Sequence, residues 1–370
     1  MLASGNTTSP YCQAVSGHLR MKVIISILLV VSSCSLGYGQ IIKGTVMDKN
    51  THDGIMYALV YFDGTFVSTY ANQNGYFQLD ISKNFSMPLT ISAIGYYSDT
   101  INNPSTDKLN IIYLAPKTYK LNEVVITAIG NSITRKTNLG IFKKEFLGET
   151  MNAKKCNITN EDDIMLNNYT HSYKFRISNG NSLIVNIDTL KAFCSNPIKI
   201  VNKALGYNLT YYLDKFEYCS LYKYLLIIGN CIFKVDSIYN KRQQKRFEER
   251  RKSAYLGSRM HFIRTLWENN LDSVGFTVKT SNNNRIPYDR LAAQSDILAG
   301  SYYLKYINYH GLISIAYYSK SPNSHIMIEK DKVYFNKNCI LNPLDVSWSG
   351  EMARQRIGDL LPFEYEVSSK

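Results

Sequence analysis

The feature that most constrains the fold is a strict period-2 alternation of apolar and polar residues, repeatedly cut by glycine and asparagine turns, over residues 41–116. "IIKGTV" (41–46), "MYALVYF" (56–62), "TFVSTYA" (65–71), "YFQLDI" (76–81), "LTISAIG" (89–95) and "NIIYLAP" (110–116) each read as a short strand with one apolar face. "LNEVVITA" (121–128) supplies a seventh, and no helical period intervenes. Turn signals at this spacing predict an antiparallel sandwich. Asp63-Gly64 reads as a two-residue hairpin turn. In "TYANQNGYFQLDIS" (69–82), Gly75 suits a positive φ, Asn72 and Asn74 suit side-chain-bonded turn geometry, and Phe77, Leu79 and Ile81 share the inward face.

Those same residues carry a resemblance. "IKGTVMD", "ALVYFDGT", "STYANQNGYFQLDI" and the closing L-x-E-V-V-I-T strand are similar to the carboxypeptidase-like regulatory domain. That module is a transthyretin-like β-sandwich found at the N-termini of secreted and outer-membrane proteins of Bacteroidota. Asn72 stands where the family usually has Asp, a change confined to a turn. The resemblance implies a fold and leaves function open, since the module precedes transporters, peptidases and other proteins alike.

At 370 residues the chain has room for a second folded unit, and its charge marks where one begins. Residues 40–127 hold six lysines against seven acids, a net −1, whereas residues 128–370 hold 34 bases against 22 acids, a net +12. The expected organisation is a leader at 1–39, a sandwich at 40–128, a polar linker at 129–140 and a basic α+β domain at 141–370. "MKVIISILLVVSSCSLGYGQ" from Met21 has a basic start, a short apolar run and small residues at Gly37 and Gly39, which predicts a signal peptide cleaved after Gly39. "VSSC" ending at Cys34 offers a rival reading as a lipidated N-terminus. Both readings export the chain to the periplasm or outer membrane, as a peripheral rather than a membrane-spanning protein. A basic exported domain points to an envelope protein, or to an anionic envelope glycan or lipid, as partner in place of nucleic acid. Plain solubility explains the charge equally well.

In the second region "YKYLLIIGNCIFKVD" (222–236) reads as a hairpin hinged on Gly229-Asn230. Residues 241–269 read as one long helix, strongly basic in its first half. Its apolar stripe is Leu256, Met260, Ile263 and Trp267, widened by Tyr255, Phe262 and Leu266. The basic half suits a groove-binding helix or a solvated helix end. "FKKEFLGETMNAKKCNITN" (142–160) is expected to begin as helix, and "EMARQRIGDLLP" (351–362) to form a terminal helix. These blocks, with "IVNKALGYNLTYYLDKF", "RKSAYLGSRMHFIRTL" and "WSGEMARQRIGDLLPFEY", resemble those following the regulatory domain in a Bacteroidota group of similar length. That likeness supplies no catalytic residue.

The family name raises the question of zinc, but no histidine after residue 39 has Glu three positions on, and H-E-x-x-H and G-x-S-x-G are both missing. No metal or cofactor is expected. Five cysteines after residue 39, at 156, 194, 219, 231 and 339, follow no zinc pattern; Cys219 and Cys231 could pair across a hairpin or remain buried thiols. What chemistry remains is Tyr255, Ser258, Arg259 and His261, with His261 the one candidate general base of an envelope hydrolase acting on peptide or glycan. A helix-capping role suits the same cluster. Asn202, Tyr207, Arg250 and Arg251 are candidates for ligand binding; "NKALGY" (202–207) otherwise reads as a helix end stopped by Gly206. The reading these residues favour is a non-catalytic binding or assembly protein.

Overall fold

A computed structural model describes residues 40–81, 87–102, 104, 109–116, 132–176, 182–235, 240–299, 302–318, 320–336, 341 and 345–367. The leader, Cys34, Cys339 and the 121–128 strand lie outside the described residues. The chain from Ile41 onward forms one compact unit.

Seven strands build the N-terminal sandwich: β1 (Ile41–Asp48), β2 (Leu59–Phe62), β3 (Ser68–Tyr70), β4 (Tyr76–Asp80), β5 (Leu89–Ser92), β6 (Asp99–Ile101) and β7 (Asn110–Leu114). They form two sheets, ordered β4-β1-β7 and β3-β2-β5-β6, antiparallel except for β1 beside β7. Alternation does what it predicts in β4, where Phe77 and Leu79 are buried between exposed neighbours and Ile81 follows them inward. At its entry turn the Asn72 carboxamide oxygen accepts the N–H groups of Asn74 and Tyr76, both at 3.0 Å, and Gly75 takes φ 75°. An uncharged carboxamide therefore performs the turn in which the family pattern has Asp.

Asp63-Gly64 sit at the centre of a tight turn, with Thr65 N–H donating to the Phe62 carbonyl at 3.3 Å. The β2–β3 connection is nonetheless wider than two residues: Phe62 N–H donates to the Val67 carbonyl at 3.1 Å and Tyr61 pairs with Ser68, leaving residues 63–66 as the loop. The reason is tertiary: Gly64 N–H donates to the Cys231 carbonyl (2.8 Å), and Phe233 N–H donates to the Thr65 carbonyl (3.0 Å). This loop extends the sandwich onto a strand of the second region.

That region opens with α1 (Ser132–Leu147), helical where the sequence predicts an irregular linker up to residue 140. Phe142 and Phe146, one helical turn apart, stack at 4.9 Å and meet Phe216 and Tyr211 at 4.8 and 5.1 Å. Each buried phenylalanine is worth about 1.5–3 kcal/mol over exposure. Beneath lies a six-stranded antiparallel sheet of β8 (Cys156–Ile158), β9 (Ile164–Arg176), β10 (Ser182–Cys194), β11 (Ile198–Asn202), β12 (Tyr207–Cys219) and β13 (Tyr224–Val235). β13 runs unbroken through Gly229-Asn230, so the expected hairpin is not there; the turn lies at residues 220–223 and joins β12 to β13. Gly229 serves close packing instead, because a Cβ there would stand 2.7 Å from the Tyr211 ring. Cys219 and Cys231 are buried, and both carry free thiols.

The long helix is two: α2 (Lys241–Tyr255) and α3 (Arg259–Trp267). Gly257 at φ 78° ends the first, and the Ser258 hydroxyl caps the second by accepting His261 N–H at 3.0 Å. The break rotates Leu256 out to 38% exposure, while Phe262, Ile263 and Leu266 enter a separate core. That core is enclosed by β14 (Phe276–Thr280), β15 (Ala292–Ala299), β16 (Tyr302–Ile307), β17 (Gly311–Tyr317), β18 (Lys320–Ile328), β19 (Val333–Phe335) and β20 (Val346–Gly350). Overall the molecule is mostly β. No described helix is long and apolar enough to cross a membrane.

The expected terminal helix shrinks to single turns at Glu351–Arg354 and Ile357–Asp359. Extended backbone serves the segment better, since it threads between all three cores. Met352 enters the core around α3, Ile357 and Leu361 enter the core under α1, and Phe363 packs against the sandwich. Phe363 N–H donates to the Gly64 carbonyl at 2.8 Å.

Candidate functional site

Of the cluster Tyr255, Ser258, Arg259 and His261, every member is committed to structure. His261 is buried, its Nδ1 accepts Gly257 N–H at 3.1 Å, and the rings of Tyr255, Phe276 and Tyr317 surround it with centroids 4.7–5.4 Å away. Burial, helped by the Arg264 charge, pushes its pKa down to about 4. Ser258 is the cap of α3. Arg259 donates to the Gln355 carbonyl at 2.8 Å and lies over Trp348, and burial, then the charge of Arg356, lowers it to about 10. The exposed or pocket-lining histidine that a general base would need is not what the fold makes.

The second set does come together, though for a different purpose. Residues 203–206 are a β-turn connection between β11 and β12, not a helix end. Asn202 is buried; its Oδ1 accepts the N–H groups of Ala204 and Leu205, and its Nδ2 donates to the Gly358 carbonyl at 2.9 Å. Arg250 donates to the Ala204 carbonyl at 3.2 Å, and Arg251 Nε donates to the Leu205 carbonyl at 2.8 Å while its guanidinium lies 4.1 Å from the centroid of the Tyr207 ring. This is a clamp in which α2 satisfies the carbonyls of a tight turn. A guanidinium over a ring adds about 0.5–2 kcal/mol to such a clamp.

What the sequence does not disclose is a cleft of about 740 Å³ between the two cores of the second region. Thr150, Asn152 and Lys155 supply one wall, Arg250 and Ser253 of α2 a second, and Tyr317 with residues 351–359 the rest. At its base Asp359 is buried; its two oxygens accept from Thr150 Oγ1 (3.0 and 2.8 Å) and Asn152 Nδ2 (2.9 Å). Desolvation holds this carboxyl above its usual range despite those donors. Thr150 and Asp359 stand 209 positions apart in the chain, so no local pattern could have paired them. Among the described residues, no group of three or more His, Cys, Asp or Glu is placed to hold a metal ion.

A search of curated proteins finds no match to the chain. Residues 42–126, the stretch that carries the sandwich, match the family described as the CarboxypepD_reg-like domain. The N-terminal module is therefore a carboxypeptidase regulatory-like domain, a non-catalytic module of the binding or regulatory kind.

Proposed function

We propose that the chain is an exported, envelope-associated binding or assembly protein whose partner is an envelope protein or an anionic envelope component. One observation carries the reading. The wide β2–β3 loop is hydrogen-bonded to β13 and covered by Phe363, so the regulatory-like module and the basic region present a single body. A sandwich held this way extends a binding surface; it does not act as a loosely tethered accessory to an enzyme. The +12 balance after residue 127 supplies long-range attraction for an anionic partner, and the leader-like segment from Met21 supplies the route out of the cytoplasm.

The hydrolase alternative rests on His261, and a buried imidazole whose Nδ1 already accepts Gly257 N–H does not favour it. Fractionation of the native cell with protease-accessibility mapping tests location: the proposal expects the chain in the envelope or periplasmic fraction, and a cytosolic chain would sink it. Loss of a measured hydrolytic activity in His261→Ala, with folding intact, would instead favour the enzyme.

A further inference from the structure

The cleft holds cationic groups that the fold does not use up. Lys155 is exposed and has no ion pair among the described residues. Arg250 spends a single N–H on the Ala204 carbonyl, which leaves most of its five-donor fork available. Arg354 is engaged by Glu351 at 2.9 Å, an exposed pair of little energetic consequence. Asp359 is saturated by Thr150 and Asn152, and its desolvation favours the uncharged form. Behind this wall Arg259 and Arg356 lie close enough to repel each other. Along α2, Arg242, Arg246 and Arg250 recur every four residues, so guanidiniums follow one another along the helix toward the cleft.

The lining also selects among anions. A bilayer is flat and does not enter a concave site. A phosphodiester chain carries a charge at every unit and would set one against Glu351 as well as the cations. A sugar chain with spaced carboxylates suits a wall that carries the hydroxyls of Ser253 and Tyr317 together with the cations Lys155 and Arg250. The volume, about 740 Å³, falls within the ~300–1,000 Å³ typical of ligand pockets.

We infer that this cleft binds an acidic oligosaccharide whose uronates are spaced by neutral sugars, with Lys155 and Arg250 holding carboxylates and Ser253 and Tyr317 meeting hydroxyls. The inference rests on the reading of an anionic partner above and assigns it a site and a chemical class.

The test uses the whole folded chain and calorimetric titration with a hyaluronate hexasaccharide, in which glucuronate alternates with a neutral sugar, against a neutral glucose hexamer and vesicles containing phosphatidylglycerol. Wild type should bind the hyaluronate hexasaccharide and not the neutral hexamer. Lys155→Glu should weaken that binding about tenfold or more with an unchanged melting temperature, whereas the equal charge change Lys49→Glu, far off on the sandwich, should stay within about twofold. Equal losses in the two variants would overturn the cleft as the site, because net charge alone would then account for binding. Vesicle binding without hyaluronate binding would also overturn it while sparing the anionic-partner reading. Binding to neither would overturn both.

Discussion

Replacing Asp63 by asparagine should stabilise this protein at alkaline pH and do nothing for it in acid. Asp63 sits in the loop that joins the sandwich to β13, and its Oδ1 accepts Cys231 N–H at 2.7 Å. Burial raises its carboxyl from the usual 3.8 to about 6, against the hydrogen bonds from Cys231 and Gly64 and with a smaller contribution from Asp214. A displacement of that size corresponds to about 3 kcal/mol. Because Asp63 retains partial exposure, solvent screening reduces that ceiling to about 1–2 kcal/mol. The sign follows from linkage. The folded state binds this proton more tightly than the unfolded state, so the carboxyl costs nothing below about pH 4, costs progressively more between about pH 4 and 6, and costs its full amount above. The carboxamide introduced by Asp63→Asn would keep an oxygen on Cys231 N–H and carry no charge. Urea denaturation of wild type and Asp63→Asn at about pH 4.5 and pH 8 reads the difference directly. The account expects a gain of about 1–2 kcal/mol at pH 8 that shrinks toward zero at pH 4.5. A gain independent of pH, or a loss at pH 8, would refute the idea that a desolvated carboxylate sits at this junction.

Three further outcomes follow from the same structure. Phe77→Ala empties the centre of the sandwich and should cost about 3–5 kcal/mol in denaturant unfolding; a loss under about 1 kcal/mol would mean the sandwich core is not packed around this ring. Arg251→Lys keeps the charge but gives up the planar contact with Tyr207 and the fixed bond to the Leu205 carbonyl, so about 1–2 kcal/mol should be lost, and a neutral result would disprove the clamp. The His261 imidazole, held near pKa 4, should show no NMR titration between about pH 5.5 and 8. Its contribution to stability is complete above about pH 6.5 and declines as pH falls through 4, since the unfolded chain takes up the proton first. A midpoint near 6.5 would mean an accessible histidine and would revive the hydrolase.

Local pattern made the sandwich legible because its information is local. Phe77, Leu79 and Ile81 alternate, the turn before them carries its own bonding groups, and the resulting module is recognisable from short words. The misreadings share a cause, in that each depends on a partner distant in sequence. Asp63-Gly64 has the letters of a tight hairpin, yet Cys231 and Phe233 draw the loop open. Gly229-Asn230 also has the letters of a turn, but the glycine is there to admit Tyr211 and the strand continues. The period of 241–269 survives through Gly257, while the backbone does not, because Ser258 restarts the helix in a new direction. Residues 351–362 look helical and keep only two single turns, because three cores share the segment through Phe363. The cleft was illegible for the same reason: its walls meet only after folding, and neither Lys155 nor Asp359 sits in a telling motif.

Site-specific photo-cross-linking from position 151, on the same wall of the cleft, in the full chain expressed in its native cell tests the functional reading most directly. The account predicts adducts with an envelope component, lost when the cross-linker is moved to position 49. Adducts confined to cytosolic proteins, or a covalent trap on a turnover substrate near His261, would contradict it.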